Sequence, residues 1–257
     1  MMPRLLYDQF ILFGDSITQQ SGDQSRGFGF APALQNAYIR RLDVVNRGFS
    51  GYNTAQALKV LPSFIPSPEE ARIRFMTVFF CANDARLPDT TGPAQSVALE
   101  EYEKNLAAII THPAVKAHNP RVVLITPPPV DERLCEAGDL LKGTDEVRRT
   151  AENTASYAAA ARRVGEELGV PVLDLWSSFM SAAGWSAGEP LPGSKAVAQS
   201  ILLNELLHDG LHFNPKGYTI LFEEMMKLVA ENWPDQVPDV LPFVLPAWDS
   251  ATAWQDD

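Results

Sequence analysis

The stretch Phe10-Ile11-Leu12-Phe13-Gly14-Asp15-Ser16-Ile17-Thr18 decides the fold. Four apolar residues in a row read as a strand buried on both faces, because a half-buried strand would alternate apolar with polar. Gly14 breaks the run with a tight turn, and Ser16 follows where a parallel strand would end. In open α/β sheets ligands bind in the crevice beyond the carboxyl ends of the strands. A hydroxyl at that point is placed to act as a nucleophile. The same residues also suit a polar turn in which Asp15 or Ser16 caps the next helix. Only the rest of the chain separates the two.

Working outward, an amphipathic run over 31–40 predicts a helix, and 42–46 a short buried strand. That strand leads into the glycine-punctuated loop from Arg47 to Thr54 and a helix over 55–61. Pro62, Pro66 and Pro68 then force a loop. Residues 74–80, rich in β-branched and aromatic side chains, predict a third strand running into Cys81-Ala82-Asn83-Asp84. A helix over 94–110 and a strand over 122–125 follow, and Pro127-Pro128-Pro129 requires an extended exit. The pattern continues with a helix over 144–168, a strand over 170–175, a Gly/Pro loop over 184–193 and a helix over 196–206. The last helix starts near Pro215, a residue suited to a first helical turn.

Five strands, each followed by a helical segment, predict an α/β fold with a five-stranded parallel sheet and helices on both faces. Residues 1–233 form one domain on this reading, and 234–257 a C-terminal arm. Phe243, Leu245 and Trp248 give the arm apolar anchors, for its own domain or for a second subunit of a homodimer.

Composition narrows the function. At 257 residues and 46% hydrophobic, the chain can bury a sizeable core. A net charge of -11 disfavours nucleic acid and anionic membranes, both of which need a basic face. No segment reaches the roughly 18 uninterrupted apolar residues of a membrane span. The opening Met1 to Asp8 is too short and polar for a secretory leader. Cys81 and Cys135 cannot build a disulfide framework. A cytoplasmic protein is the expectation.

Three loops at the ends of early strands carry what acyl transfer needs. Ser16 offers a hydroxyl, Gly51 a backbone N–H that no Cβ shields, and Asn83 an amide N–H. With the N–H of Ser16 these would form an oxyanion hole. Singly, Gly51 also reads as a turn residue and Asn83 as a helix cap. A serine hydroxyl needs a base, and imidazole serves best near neutral pH when a carboxylate fixes its tautomer. In Asp209-Gly210-Leu211-His212 the Asp can curl back onto the His within one loop. Asp209 as a turn former and His212 as a surface or core residue are the plain alternatives.

Other motifs compete less well. His208 to His212 looks like a degraded zinc helix, but Gly210 and Asn214-Pro215 oppose helical geometry there. Residues 188–195 resemble a phosphate loop but end Gly-Ser-Lys and contain two prolines. No Gly-x-Gly-x-x-Gly follows the first strand. Cys81 abuts an apolar strand and reads as a packed small residue.

Taken together, the blocks resemble the SGNH hydrolases, the GDSL lipase/esterase family. Gly14-Asp15-Ser16 resembles the first block, Gly51 within Asn46 to Gly51 the second, Ala82-Asn83-Asp84 the third, and Asp209-Gly210-Leu211-His212 the last. Thr126 to Glu132 and Asp209 to Tyr218 look closest to the isoamyl acetate-hydrolysing esterase branch. The resemblance implies a flavodoxin-like three-layer α/β/α sandwich and a serine esterase acting on short-chain or acetate esters through an acyl-enzyme. Ser16 would be the nucleophile, His212 the base and Asp209 its orienter. Ser16, Gly51 and Asn83 would hold the oxyanion, with no metal or organic cofactor. One departure stands out: Cys81 occupies a position that is usually Gly, where a side chain would crowd the loop aiming Asn83. Phe49, Tyr52, Pro128, Val130 and Phe213 are the expected apolar pocket wall. A carbohydrate O-deacetylase or a thioesterase would use the same site, and a non-catalytic α/β binding protein is the alternative of another class.

Overall fold

The computed structural model describes residues 7–254, so residues 1–6 of the predicted domain and 255–257 of the arm lie outside it. Strands β1 (Asp8–Gly14), β2 (Leu42–Gly48), β3 (Ile73–Phe79), β4 (Arg121–Ile125) and β5 (Val172–Leu173) run parallel in the order β2-β1-β3-β4-β5. The helices are α1 (Ser16–Gln20), α2 (Phe30–Ala37), α3 (Thr54–Val60), α4 (Leu99–Ile110) and α5 (Pro113–Lys116), then α6 (Glu132–Leu141), α7 (Ala151–Leu168), α8 (Leu175–Ala182), α9 (Ile201–Leu206) and α10 (Pro215–Asn232).

The apolar run in β1 is shared between two cores. Phe10 and Leu12 point to one face, with Leu34 of α2, Phe179 of α8 and Leu221 and Met225 of α10. Ile11 and Phe13 point to the other, with Ala57 of α3, Leu106 of α4 and Ala160 and Val164 of α7. Pleating sends successive side chains to opposite faces, so an unbroken apolar run requires a helical layer on each side. Each fully buried Phe or Leu contributes roughly 1.5–3 kcal/mol. The result is the expected three-layer sandwich.

Strand order sets where a site can form. The chain leaves β1 for β2 on one side, then returns past β1 to β3 on the other. At such a switch point the connecting loops diverge and leave a crevice beyond the strand ends. Ser16 follows β1 there, and Asn83 follows β3.

Several predicted elements differ in extent: the helices expected over 94–110 and 196–206 begin only at Leu99 and Ile201, and at three other places a polar cap outcompetes the expected pattern. The extended exit of the Pro127–Pro129 triplet gives way at once to α6, where Asp131 accepts from the backbone N–H of Leu134 at 2.9 Å. The helix expected over 144–168 starts only at Ala151, with Thr150 as its N-cap. The strand expected over 170–175 shrinks to Val172–Leu173, since Asp174 caps α8.

Beyond α10 the chain turns back along the α2–β2 corner. Leu241 is buried, the guanidinium carbons of Arg40 and Arg41 lie 4.2 and 4.3 Å from the Phe243 ring centre, and Arg41 Nε donates to Leu241 O at 2.7 Å. Among the described residues no helix is long and apolar enough to cross a membrane.

Candidate active site

Ser16 heads α1, whose N-cap Asp15 accepts from the N–H of Ile17 at 2.9 Å. Turn, cap and nucleophile candidate are therefore one structure rather than alternatives. From the opposite side comes the 208–212 loop, closed by a bridge between Leu207 and Phe213. Within it Asp209 Oδ1 accepts from the N–H groups of Leu211 (3.0 Å) and His212 (2.8 Å), which turns the other oxygen toward the imidazole. His212 Nδ1 donates to Asp209 Oδ2 at 2.7 Å. A carboxylate can only accept, so this bond fixes the proton on Nδ1 and leaves Nε2 to accept from Ser16 Oγ at 2.8 Å. Burial pushes the Asp209 carboxyl up, but the His212 ring and the two backbone N–H groups outweigh it and hold the group well below its usual range. Asp209 thus stays ionised beside the imidazole.

Gly51 and Asn83 line the same cleft as Ser16. Gly51 has φ +83°, a conformation that costs other residues energy. Asn83 Nδ2 gives one hydrogen to Tyr52 O at 2.8 Å, which leaves the second N–H of the amide. The N–H of Ser16 heads its helix without an acceptor inside it. Three donors therefore border one cleft, where an acyl oxygen could collect them.

Cys81 does not crowd this arrangement, because its side chain turns into the core beneath α4, 1% exposed. Burial pushes its thiol far up, and the neighbouring Asp84 and Asp15 push it further. Cys135 borders the cleft, and burial pushes it up to about 12, so the hydroxyl meets no competing thiolate.

The model of the GDSL-like lipase/acylhydrolase family matches residues 12–220, most of the sandwich. The chain belongs to that family. The human isoamyl acetate-hydrolyzing esterase 1 homolog is 35% identical over 246 residues, 95% of this chain and 88% of the relative. The isoamyl acetate-hydrolyzing esterase of Saccharomyces cerevisiae is 32% identical over 254 residues, 94% of each chain. Among solved structures, a lipase/acylhydrolase from Enterococcus faecalis shares the fold with a TM-score of 0.58 at 24% identity, over 87% of this chain and 96% of that one. This GDSL hydrolase is an ester-hydrolysing enzyme of the isoamyl acetate-hydrolysing branch.

The cleft of this GDSL hydrolase encloses about 210 Å³ and has a polar lining. None of the five apolar residues expected as its wall lies there. Val130 and Phe213 are 1% and 2% exposed in the core, and Pro128 is buried with them. Phe49 and Tyr52 stack on each other, centres 5.2 Å apart, and pack on the core around α3. Apolar residues next to a motif are used here to anchor its loop from below.

Two contributors carry no motif and escape sequence reasoning. Gln95 Nε2 donates to Asn83 Oδ1 (3.2 Å) and to Gly51 O (2.8 Å), while its own carbonyl accepts from Arg86 at 3.1 Å. Arg149 reaches in from the loop before α7. An Arg148-Arg149 pair in so acidic a chain was the available signal. The zinc alternative fits poorly. Donor atoms of His208, Asp209 and His212 do lie within 4.8 Å of one another. Yet both Asp209 oxygens and both His212 nitrogens are already engaged in the bonds above.

Proposed function

We propose that this enzyme hydrolyses small carboxylic esters through an acyl-enzyme on Ser16. The observation that carries the reading is the unbroken chain from Ser16 Oγ through His212 to Asp209, 2.8 and 2.7 Å per link. Ser16 Oγ attacks the ester carbonyl as its proton passes to His212 Nε2. The imidazolium is held by Asp209. The N–H groups of Ser16 and Gly51 and the Asn83 amide receive the oxyanion. His212 then protonates the leaving alcohol, and a water repeats the cycle to free the acid and restore Ser16. The names of the human and yeast relatives, which specify isoamyl acetate, support a short acyl group, as does the small cleft. Removal of acetyl groups from carbohydrate is the second reading, favoured by the polar lining.

The test is hydrolysis of p-nitrophenyl esters from acetate to palmitate by wild type and Ser16→Ala. The variant should keep its fold and lose roughly 10⁴–10⁶ in turnover, and wild-type rates should fall as the acyl chain lengthens. Near-normal activity in the variant would assign the chemistry to another nucleophile.

A further inference from the structure

The protein carries a net charge of -11, yet the cleft beside Ser16 is bordered by Arg86, Arg148, Arg149 and Lys142 against two carboxylates, Asp139 and Asp209. Both carboxylates are occupied. Asp139 takes Arg148 at 3.3 Å, and Asp209 takes His212. Arg86 is consumed by the 86–95 loop, donating to Thr90, Thr91 and Gln95. Arg148 likewise donates to Thr91 and Thr144, with its Nε buried and unpartnered.

Arg149 differs from both. Its Nε donates to Ala82 O at 3.1 Å, which fixes the guanidinium beside the residue that precedes Asn83. Its two terminal nitrogens have no hydrogen-bond acceptor or carboxylate among the described residues. The group is half-buried and close to other guanidiniums: burial, and after it the repulsion of Arg148 and Arg149, holds Arg86 below its ordinary value. Charges taken from water are normally paired, and a clustered cation without a counter-ion costs stability. A pair of N–H groups in a planar fork is also the geometry that binds carboxylate or phosphate through two bonds.

We propose that the physiological ester carries an anionic group, a carboxylate or phosphate, and that Arg149 binds it while Ser16 attacks the ester carbonyl. The inference rests on the reading of Ser16 as nucleophile. It adds a substrate class: esters with a charged acyl chain or a charged alcohol, rather than neutral ones alone. The positive cleft in an acidic protein then concentrates such substrates at its mouth.

Two matched pairs test it and locate the charge. p-Nitrophenyl butyrate against mono-p-nitrophenyl succinate places the anion on the acyl side. Phenyl acetate against 4-acetoxybenzoate places it on the alcohol side. Wild type, Arg149→Gln, Arg149→Lys and Ser16→Ala are compared by kcat/KM, so intrinsic ester reactivity cancels in each variant-to-wild-type ratio. Arg149→Gln keeps a donor for Ala82 O. It should lower kcat/KM for the charged member of one pair roughly 10–100-fold more than for its neutral partner, the range for a hydrogen bond to a charged group. Arg149→Lys should recover part of that difference, and added salt should shrink it. Equal losses in both members of both pairs would overturn the proposal and leave Arg149 as a strut for the Ala82 loop. If none of the four esters is hydrolysed in a Ser16-dependent way, the nucleophile assignment fails first and the proposal falls with it.

Discussion

An amide side chain is aimed at a developing oxyanion when its oxygen is held elsewhere, and Gln95 does this for Asn83. Its Nε2 caps Asn83 Oδ1 and Gly51 O together, so one residue ties both candidate oxyanion donors to the same scaffold. Asn83→Ala is expected to cost about 10²–10³, mainly in turnover. A change confined to KM would mean that Asn83 only binds substrate. Gln95→Ala should lower kcat by roughly tenfold, a fraction of the loss of the donor it orients. In Asn83→Ala/Gln95→Ala the two losses should fall short of multiplying, because Gln95 then has only Gly51 left to hold. Full multiplication in that double variant would show that Gln95 acts independently of Asn83.

At the scale of elements, the 208–212 loop is held from beneath by α6. Asp131, the N-cap of α6, donates its backbone N–H to Gly210 O at 2.9 Å. Gly210 itself has φ +85°, and a Cβ there would lie 2.5 Å from Asp131 O. Gly210→Ala should therefore destabilise the protein by more than about 1 kcal/mol and lower activity beyond what lost stability explains. Thermal melting alongside kcat/KM at a temperature well below the transition checks this. Unchanged values of both would show that the loop relaxes freely around a methyl group. Such support is what the sequence could not display. Ser16 and Asn83 follow directly on β1 and β3, and Asp209 and His212 sit three residues apart in the loop between α9 and α10, so strand order and local spacing are enough to read them. Gln95 and Arg149 lie in stretches that read as the first turns of helices over 94–110 and 144–168; the structure starts those helices only at Leu99 and Ala151, and tertiary contacts place the two side chains. Helices α6 and α8 were absent from the reading for a related reason. Each begins on an Asp cap directly after proline-rich or strand-like text. The apolar wall failed because Val130, which follows three prolines, and Phe213, which follows the His212 loop, both face inward to the core.

Across the whole molecule, the acidic balance interacts with what the switch-point crevice buries. Burial pushes Asp15 up to about 6 and Asp84 up to about 7. For Asp84, hydrogen bonds from the Thr54 N–H and hydroxyl pull the other way without prevailing, and its second oxygen is buried without a partner. A carboxyl whose folded value lies above its unfolded one favours the native state fully only below about 3.8, and that contribution is lost as pH rises through about 7. Groups held low have the opposite sign. Asp209, Asp174, Glu70 and Glu146 act below their ordinary values near 4, and His208, lowered by burial, acts only up to 6.5. Between that point and about 8, Asp84 sets the slope among the groups that shift, because Asp15 has lost most of its contribution by about 6 and the buried thiols begin only near their ordinary value of 9. Asp84→Asn isolates this group, because an amide oxygen still accepts from Thr54 while nothing titrates. The Tm of Asp84→Asn minus that of wild type should rise from pH 5 to pH 8, whatever its value at pH 5. Wild type alone carries a carboxylate that must ionise in the core over that range. A difference that stays flat across those pH values would mean that Asp84 does not change ionisation on folding, and the cost of burying it would have to be sought in the unpaired oxygen alone.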